Sequence, residues 1–195
     1  DNDATAAAWG DARVGAARGV DDVVFVTLGT GIGTGIVCNG RLVRGAHGFA
    51  GEAGHIVVDR HGPPHVTGLP GAWESYASGT ALGRMAREAG LGESGEDLDR
   101  RIEAGDPAAL DVLDRFAWEV AVGVANLLAV LDSELVVLGG GVSDIGEPLR
   151  AAVERHLPGL LIGADIRTET RVVLATLGER AGAIGAALLA AELRS

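Results

Sequence analysis

The sequence contains no lysine: all 16 of its basic residues are arginine, set against 27 acidic residues for a net charge of −11. Without lysine, the phosphate-binding lysine of a P-loop and any Schiff-base chemistry are excluded. The arginines form no cluster, and a protein with this excess of negative charge repels phosphate groups. We therefore expect neither nucleic acid nor an anionic membrane as a partner.

Cysteine and long apolar runs are also scarce. The single cysteine, Cys38, excludes an internal disulfide or a cysteine-based metal cage, and it fits a cytoplasmic location. The longest uncharged stretch of the most apolar predicted helix, residues 120–131, is too short to cross a bilayer. With 195 residues and 47% apolar side chains, the chain is expected to be a globular protein with one good core.

Strand and helix signals alternate along the chain. The first half predicts, in order, a helix capped by Asn2 or Asp3, a buried strand and glycine turn, a hairpin at Asn39-Gly40, a strand at 54–59, a helix at 73–89 and an acidic glycine-rich loop to Gly105. The second half predicts a core helix from Asp106-Pro107 to Leu131, a strand and glycine turn, a helix at 147–156, a strand and a final helix from Arg180. This order predicts an α/β domain whose mixed sheet, flanked by helices, has hairpin-linked strands first and parallel crossovers afterwards.

Two glycine-rich turns follow buried strands. The first, TLGTGIGTG at residues 27–35, could turn backbone N–H groups onto an anion, and a plain glycine hairpin explains it equally well. The second, VLGGGVS at residues 137–143, could border the same crevice, because ligands of open α/β sheets bind beyond the carboxyl ends of the strands. Its alternative explanation is tight packing of helix on sheet.

Polar residues at glycine-flanked positions suit the hydroxyl groups of a sugar. Glu52 and His55 lie in GEAGH, and Glu74 follows Trp73. Ionised carboxylates are strong hydrogen-bond acceptors. Taken singly, each is better explained as a solvated loop charge, and Asp3 as a helix cap.

Several motifs occur together in an order and spacing that resembles the ROK family of repressors and kinases, and in particular its bacterial glucokinases. They are NDA, VTLGTGIGTGIV, RGAHGFAGEAGHIVVD, WESYASG and VVLGGGVS, and they extend over nearly the whole chain. The resemblance implies the actin-like ATPase, or ribonuclease H-like, fold of two α/β domains with sugar and ATP in the cleft between them. Residues 1–195 would be the C-terminal domain, and the final helix, 180–195, would pack on an absent N-terminal domain.

The resemblance also implies roles for individual residues. Asp3 would be the catalytic carboxylate. Sugar hydroxyls would be bound by Asn2, Asp3, Glu52, His55 and Glu74. The nucleotide would be bound by Thr27, Gly29, Thr30, Gly31, Gly33, Gly139, Gly140 and Gly141.

The activity implied is that of a cytoplasmic, homodimeric kinase that converts glucose to glucose 6-phosphate with ATP and Mg²⁺, with polyphosphate left open as an alternative donor. Its partners would be a small-molecule sugar and a nucleotide. This chain alone would be inactive, because half of the cleft is absent. The alternative is the sugar-sensing domain of a ROK-family transcriptional repressor, which has a helix-turn-helix before the same domain.

The loop HVTGLPGAWE, residues 65–74, departs from the family pattern CxCGxxGCxE. In that pattern three cysteines and the histidine of the preceding GH bind a structural zinc. Here His65, Thr67 and Ala72 stand at the cysteine positions.

Two imidazoles without thiolates fall short of the four ligands of a closed zinc site. We therefore predict no structural zinc, and a His55 that serves only as a sugar ligand. The loop must then be held by Pro64, Pro70 and the packing of Trp73.

Overall fold

The computed structural model describes residues 2–92, 94–166 and 170–192. Within these ranges, a mixed sheet of five strands has the order β3-β2-β1-β4-β5. Its strands are β1 Val23–Leu28, β2 Ile32–Cys38, β3 Arg41–Leu42, β4 Leu135–Gly139 and β5 Arg171–Leu174. β2 is antiparallel to β1 and β3, whereas β4 is parallel to β1 and β5. The predicted hairpin-linked strands followed by parallel crossovers are therefore confirmed.

Helices cover both faces of the sheet. They are α1 Asp3–Val14, α2 Glu74–Ala77, α3 Gly79–Glu88, α4 Gly95–Glu103, α5 Pro107–Leu131, α6 Glu147–His156 and α7 Ala181–Glu192. Successive strand residues point to opposite faces, so Val24 and Val26 join a core with α3 to α6, while Val23 and Phe25 join a second core with α1 and α7. Nowhere in the described ranges is a helix both long and apolar enough to span a membrane.

The capping signals locate the helix starts correctly. Asn2 caps α1, its side chain accepting a hydrogen bond of 2.7 Å from the Thr5 N–H. Asp106 caps α5 in the same way through the Ala108 N–H, and Pro107 is the first helical residue. In both cases a side-chain oxygen satisfies an N–H that the helix itself leaves unpaired.

Three predictions for residues 54–105 are wrong. The stretch predicted as a strand at 54–59 begins within a short 3-10 turn, Ala53–His55, and forms only one isolated bridge, from Val57 to Ala72. The helix predicted over 73–89 is two helices separated at Ser78, which has extended backbone and caps α3 through the Ala81 N–H. The break lets the Gly79 N–H donate to the Gly29 carbonyl at 2.7 Å.

The predicted acidic loop to Gly105 contains α4. Ser94 and Asp97 form a capping box at its start, and Leu98 and Ile102 are buried four residues apart on one face. A single apolar pair within a glycine-rich acidic stretch was too weak a periodic signal to predict this helix.

The first glycine turn is shorter than the sequence predicts, because β2 already begins at Ile32. Gly33 and Gly35 lie within this strand, beneath α1. A Cβ atom on Gly33 would be 2.7 Å from Cβ of Ala4, and one on Gly35 would overlap Ala8. These two glycines therefore let α1 approach the sheet closely.

The final helix packs on α1. It begins at Ala181 rather than Arg180, and residues 193–195 of the predicted helix lie outside the described residues. The two helices meet through glycines: a Cβ on Gly10 would be 2.9 Å from the Ala181 carbonyl, and one on Gly185 would overlap the Ala6 carbonyl. Small residues at this crossing bring α1 and α7 into close backbone contact.

Candidate functional site

A cavity of about 500 Å³ lies at the carboxyl ends of β1 and β4, where ligands bind in open α/β sheets. Asp3 of α1, Thr27 of β1 and the turn of Gly139, Gly140 and Gly141 line it. Gly140 has a φ of +83°, and a Cβ there would be 2.6 Å from the Leu28 carbonyl, so the second glycine turn packs directly on the end of β1. The structure thus brings a carboxylate and the second glycine turn to one cavity.

The first glycine turn is tied to the start of α3. The Gly29 carbonyl accepts the Gly79 N–H, and the Thr30 carbonyl accepts the Thr80 hydroxyl at 2.8 Å. With its carbonyls engaged by α3, the turn has a fixed shape. Gly29, Thr30 and Gly31 lie in the turn, whereas Gly33 lies in β2 against α1.

A smaller cavity of about 240 Å³ adjoins the second glycine turn. Its apolar walls come from α3, from the missed helix α4 and from the segment after β4. They include Leu82, Ala86, Leu98, Val142 and Ile145, and Gly141 lines both cavities. A flat apolar group could occupy this space while remaining joined to a group in the larger cavity.

The polar residues predicted to bind sugar form a connected series that begins at the cap of α1. Asn2 Nδ2 donates to Glu52 Oε1 at 3.0 Å, and Glu52 Oε2 is 3.7 Å from His55 Nε2. The side chains of Glu52 and His55 are 42% and 39% exposed, so both are accessible to a ligand. The structure therefore gathers Asn2, Glu52 and His55 beside one another, next to Asp3.

Glu74 is held at both carboxylate oxygens. Oε1 is 2.9 Å from His65 Nε2, and Oε2 accepts the Ile32 backbone N–H at 2.7 Å. Oε2 also occupies the place where a Cβ of residue 31 would lie, so that a glycine is needed at that position of the turn. Glu74 therefore links the loop that carries it to the first glycine turn.

The surroundings of Glu74 favour its ionised form. Partial burial acts to raise its pKa, but the hydrogen bonds from His65 and Ile32 and the charges of His65 and His55 outweigh burial and lower the pKa below its ordinary value. A carboxylate is an acceptor at both oxygens and suits the hydroxyl hydrogens of a sugar.

His65 is the residue of this site that the motifs did not identify, except as a replaced cysteine. Its ring lies 5.2 Å from the ring of His55, between centroids, and its Nδ1 is 3.0 Å from the Thr67 hydroxyl oxygen. One chemical argument could have identified it from the sequence. A carboxylate in a loop without metal needs a hydrogen-bond donor, and the loop that ends in Glu74 contains the imidazole of His65.

The side chains do not fit a structural zinc. One observation favours a metal ligand: His55 Nδ1 is buried and has no hydrogen-bond partner among the described residues. The remaining donors do not complete a site. The three cysteine positions of the family pattern offer only one imidazole, from His65, and no thiolate. In the part of the chain that the structure covers, no three His, Cys, Asp or Glu side chains are grouped to hold a metal. The donor set is thus too small for a closed tetrahedral site, and the absence of zinc remains a prediction.

The loop is anchored as its sequence predicts. Trp73 is fully buried, its Nε1 donates to the Glu119 carbonyl at 2.9 Å, and its ring fills the space above Gly123 of α5. Pro64 and Pro70 face each other in an isolated antiparallel bridge. Packing and backbone hydrogen bonds therefore hold both ends of the loop.

Comparison with known proteins identifies relatives along the whole chain. A glucokinase of Halalkalibacterium halodurans is 39% identical over 207 residues, covering 95% of this chain and 61% of the relative. The crystal structure of a ROK family glucokinase from Streptomyces griseus in complex with glucose and AMPPNP matches with a TM-score of 0.91 and 40% identity, covering 97% of this chain and 66% of that chain. The xylose repressor of Bacillus subtilis is 30% identical, covering 95% of this chain and 48% of the repressor.

This chain thus spans between about three fifths and two thirds of the glucokinases it matches. The similarity in structure confirms the predicted actin-like, ribonuclease H-like fold, with its mixed sheet flanked by helices. The model of the ROK family matches residues 1–193, and the chain belongs to that family.

Proposed function

We propose that this chain is the C-terminal domain of an ATP-dependent sugar kinase that phosphorylates a hexose, with glucose as the first candidate. The observation that carries the proposal is the adjacency of Asn2 and Asp3. Asn2 contacts Glu52 in the sugar-binding series, while Asp3 lines the cavity beside the second glycine turn. Two neighbouring residues at one helix end thus join an acceptor site to a phosphate site.

Asp3 has the chemistry that phosphoryl transfer requires. The reaction depends mostly on positioning and charge stabilisation, so the carboxylate has to orient the acceptor hydroxyl and take its proton late. Asp3 is the first residue of α1, so its carboxylate lies at the positive end of the helix dipole. Asn2, Glu52, His55 and Glu74 would hold the other hydroxyls and keep one of them directed at Asp3.

The nucleotide would extend across both cavities. Its phosphates would lie along the glycine turns, and its base would occupy the apolar cavity between α3 and α4. Mg²⁺ is usually held by phosphate oxygens, waters and one or two carboxylates. The side chains of Asp3, Asp144 and Glu179 are the candidates for that contact, since they line the larger cavity. Bound there, Mg²⁺ would neutralise phosphate charge.

Relatives support the choice of substrates. The Streptomyces griseus glucokinase was crystallised with glucose and the ATP analogue AMPPNP, and we extend both ligand classes to this chain. We also propose a cytoplasmic homodimer as its working form.

A coupled assay with glucose and ATP on the complete polypeptide that carries these residues tests the proposal. We expect glucose-dependent production of ADP and of a phosphorylated sugar. Failure to phosphorylate any hexose, by a polypeptide that is folded and binds sugar, would contradict it.

The second candidate is a sugar-sensing repressor domain, which the similarity to the xylose repressor of Bacillus subtilis favours. The sequence that precedes this domain in the complete polypeptide discriminates between the two. An Asp-x-Gly-Gly phosphate motif there supports a kinase, and a basic helix-turn-helix supports a repressor.

A further inference from the structure

We infer that His65 is a positioning residue for the acceptor sugar. Its hydrogen bond to Glu74 fixes the orientation of the carboxylate, a role that a metal-bound loop would otherwise have. This inference rests on the proposed function, because it assigns Glu74 to a sugar hydroxyl. It also makes a structural claim that does not depend on activity, namely that the orientation of the Glu74 carboxylate depends on His65.

The Glu74 carboxylate is clamped from two sides. His65 Nε2 holds Oε1 at 2.9 Å and the Ile32 N–H holds Oε2 at 2.7 Å. Each carboxylate oxygen has two acceptor directions, so one on each oxygen is left for a sugar hydroxyl. Without His65, a single N–H would hold the group, and the carboxylate could rotate about that remaining bond.

His65 is itself firmly placed. Its side chain is only 6% exposed, against 25% for Glu74. Its Nδ1 is 3.0 Å from the Thr67 hydroxyl oxygen, its N–H donates to the Leu69 carbonyl, and its carbonyl accepts the Gly68 N–H. Gly68 has a φ of +81°, which makes the tight turn that closes these bonds. The ring can therefore transmit the shape of the loop to Glu74.

Hydrogen bonds stand at the positions where the family pattern has metal ligands. Thr67 and His65 stand at two positions where the family pattern has cysteine, and they bond to each other and then to Glu74. Ala72, at the third position, is buried and forms the bridge to Val57. Each of the three positions thus has a structural contact that needs no ion.

The test compares three variants in the complete polypeptide. We expect His65→Ala to raise KM for the hexose roughly tenfold or more, since a lost hydrogen bond to a charged group commonly changes an equilibrium by that factor. KM for ATP and kcat should stay near wild type. His65→Gln should recover most of the loss, because its amide N–H can donate to Glu74. His61→Ala removes an exposed histidine near the same loop and is the matched control, with wild-type KM values expected.

Crystal structures of His65→Ala and His65→Gln make the structural claim testable without turnover. We expect the Glu74 carboxylate to be displaced in the alanine variant and in place in the glutamine variant. An unmoved carboxylate in His65→Ala overturns the inference, as does an unchanged KM for the hexose. A rise in both KM values that glutamine does not rescue also overturns it. If the wild-type polypeptide phosphorylates no hexose, the proposed function fails, and the position of the carboxylate still decides the role of His65.

Discussion

Asn2 and Asp3 lie at the same helix end but have different surroundings. The side-chain oxygen of Asn2 accepts a hydrogen bond from the Thr5 N–H, and its amide nitrogen donates one to Glu52. Asp3 lines the cavity that the second glycine turn also lines. A substitution of either residue should therefore affect a different step.

Asp3→Asn should strongly reduce the rate of phosphoryl transfer while sparing sugar binding. We expect kcat to fall by a factor of about 10² to 10⁴, the usual contribution of a positioned acid or base, with little change in the dissociation constant of glucose. A coupled assay and calorimetric titration measure the two quantities. Asp21→Asn, at an exposed aspartate before β1, is the control. A kcat of Asp3→Asn close to that of the wild type would count against the catalytic role of Asp3.

Gly31→Ala tests the contact between the first glycine turn and Glu74. The Glu74 carboxylate fills the place of the new methyl group, so it must move away from Ile32. We expect a higher KM for the hexose, measured by initial rates at saturating ATP. Gly159→Ala, where nothing lies near the added atom, should behave as wild type. An unaltered KM in Gly31→Ala would show that Glu74 does not need this contact.

The lowered pKa of Glu74 gives its contribution to stability a definite pH dependence. Because the native carboxyl has a pKa below its ordinary 4.5, its contribution is fully present above that pH and is lost as pH falls through the native pKa. The difference in unfolding free energy between the wild type and Glu74→Gln should therefore shrink as pH falls below 4.5 and through the lower native pKa. Urea denaturation at several pH values measures it, and a constant difference would refute this assignment.

At the scale of elements, α5 and the loop before α2 stabilise each other. The ring of Trp73 lies over Gly123, and its N–H reaches the Glu119 carbonyl of the same helix. Glycine has a low helix propensity. It is nevertheless needed at position 123, because any side chain there would overlap the Trp73 ring. This close approach is what fixes the position of Glu74, the next residue along the chain.

Gly123→Ala should destabilise the protein, contrary to helix propensity. The added methyl group would overlap the buried Trp73 ring, and overpacking of a core usually costs about 1 to 3 kcal/mol. Gly95→Ala in α4, where the new atom meets nothing within 4 Å, should leave stability unchanged or slightly higher. Chemical denaturation of both variants measures this. A Gly123→Ala variant as stable as the wild type would contradict the packing described for this helix.

Prediction from sequence succeeded where the signal was local. Asp106, Pro107 and a long apolar periodicity predicted α5 to the residue at both ends. The hydrogen bond from Ile32 to Glu74 could not be predicted, because the two residues are 42 positions apart and nothing near either one indicates the other. The need for glycine at position 31, which arises from the position of the Glu74 carboxylate, could not be predicted for the same reason. The order of the motifs identified the candidate residues, but their hydrogen-bond partners became visible only in the folded structure.

At the scale of the whole molecule, the residues proposed to bind sugar lie within this chain, and the chain spans 61% and 66% of the two glucokinases described above. Both observations lead to a prediction for the 195-residue chain by itself. It should bind glucose more weakly than the complete polypeptide and should not phosphorylate it. Calorimetry and the coupled assay on both polypeptides measure this. Full turnover by the short chain would show that no further domain is needed.

The chemistry of the 65–74 loop has a consequence for the proposed sugar site. Its hydrogen-bonded side chains are imidazole, hydroxyl, indole and carboxylate, and its sequence contains no sulfur. Thiolates are the groups that peroxides oxidise most readily, and a zinc-held loop loses its shape when a chelator takes the metal. A site built on His65 and Thr67 should keep its affinity for sugar through oxidative stress and zinc starvation.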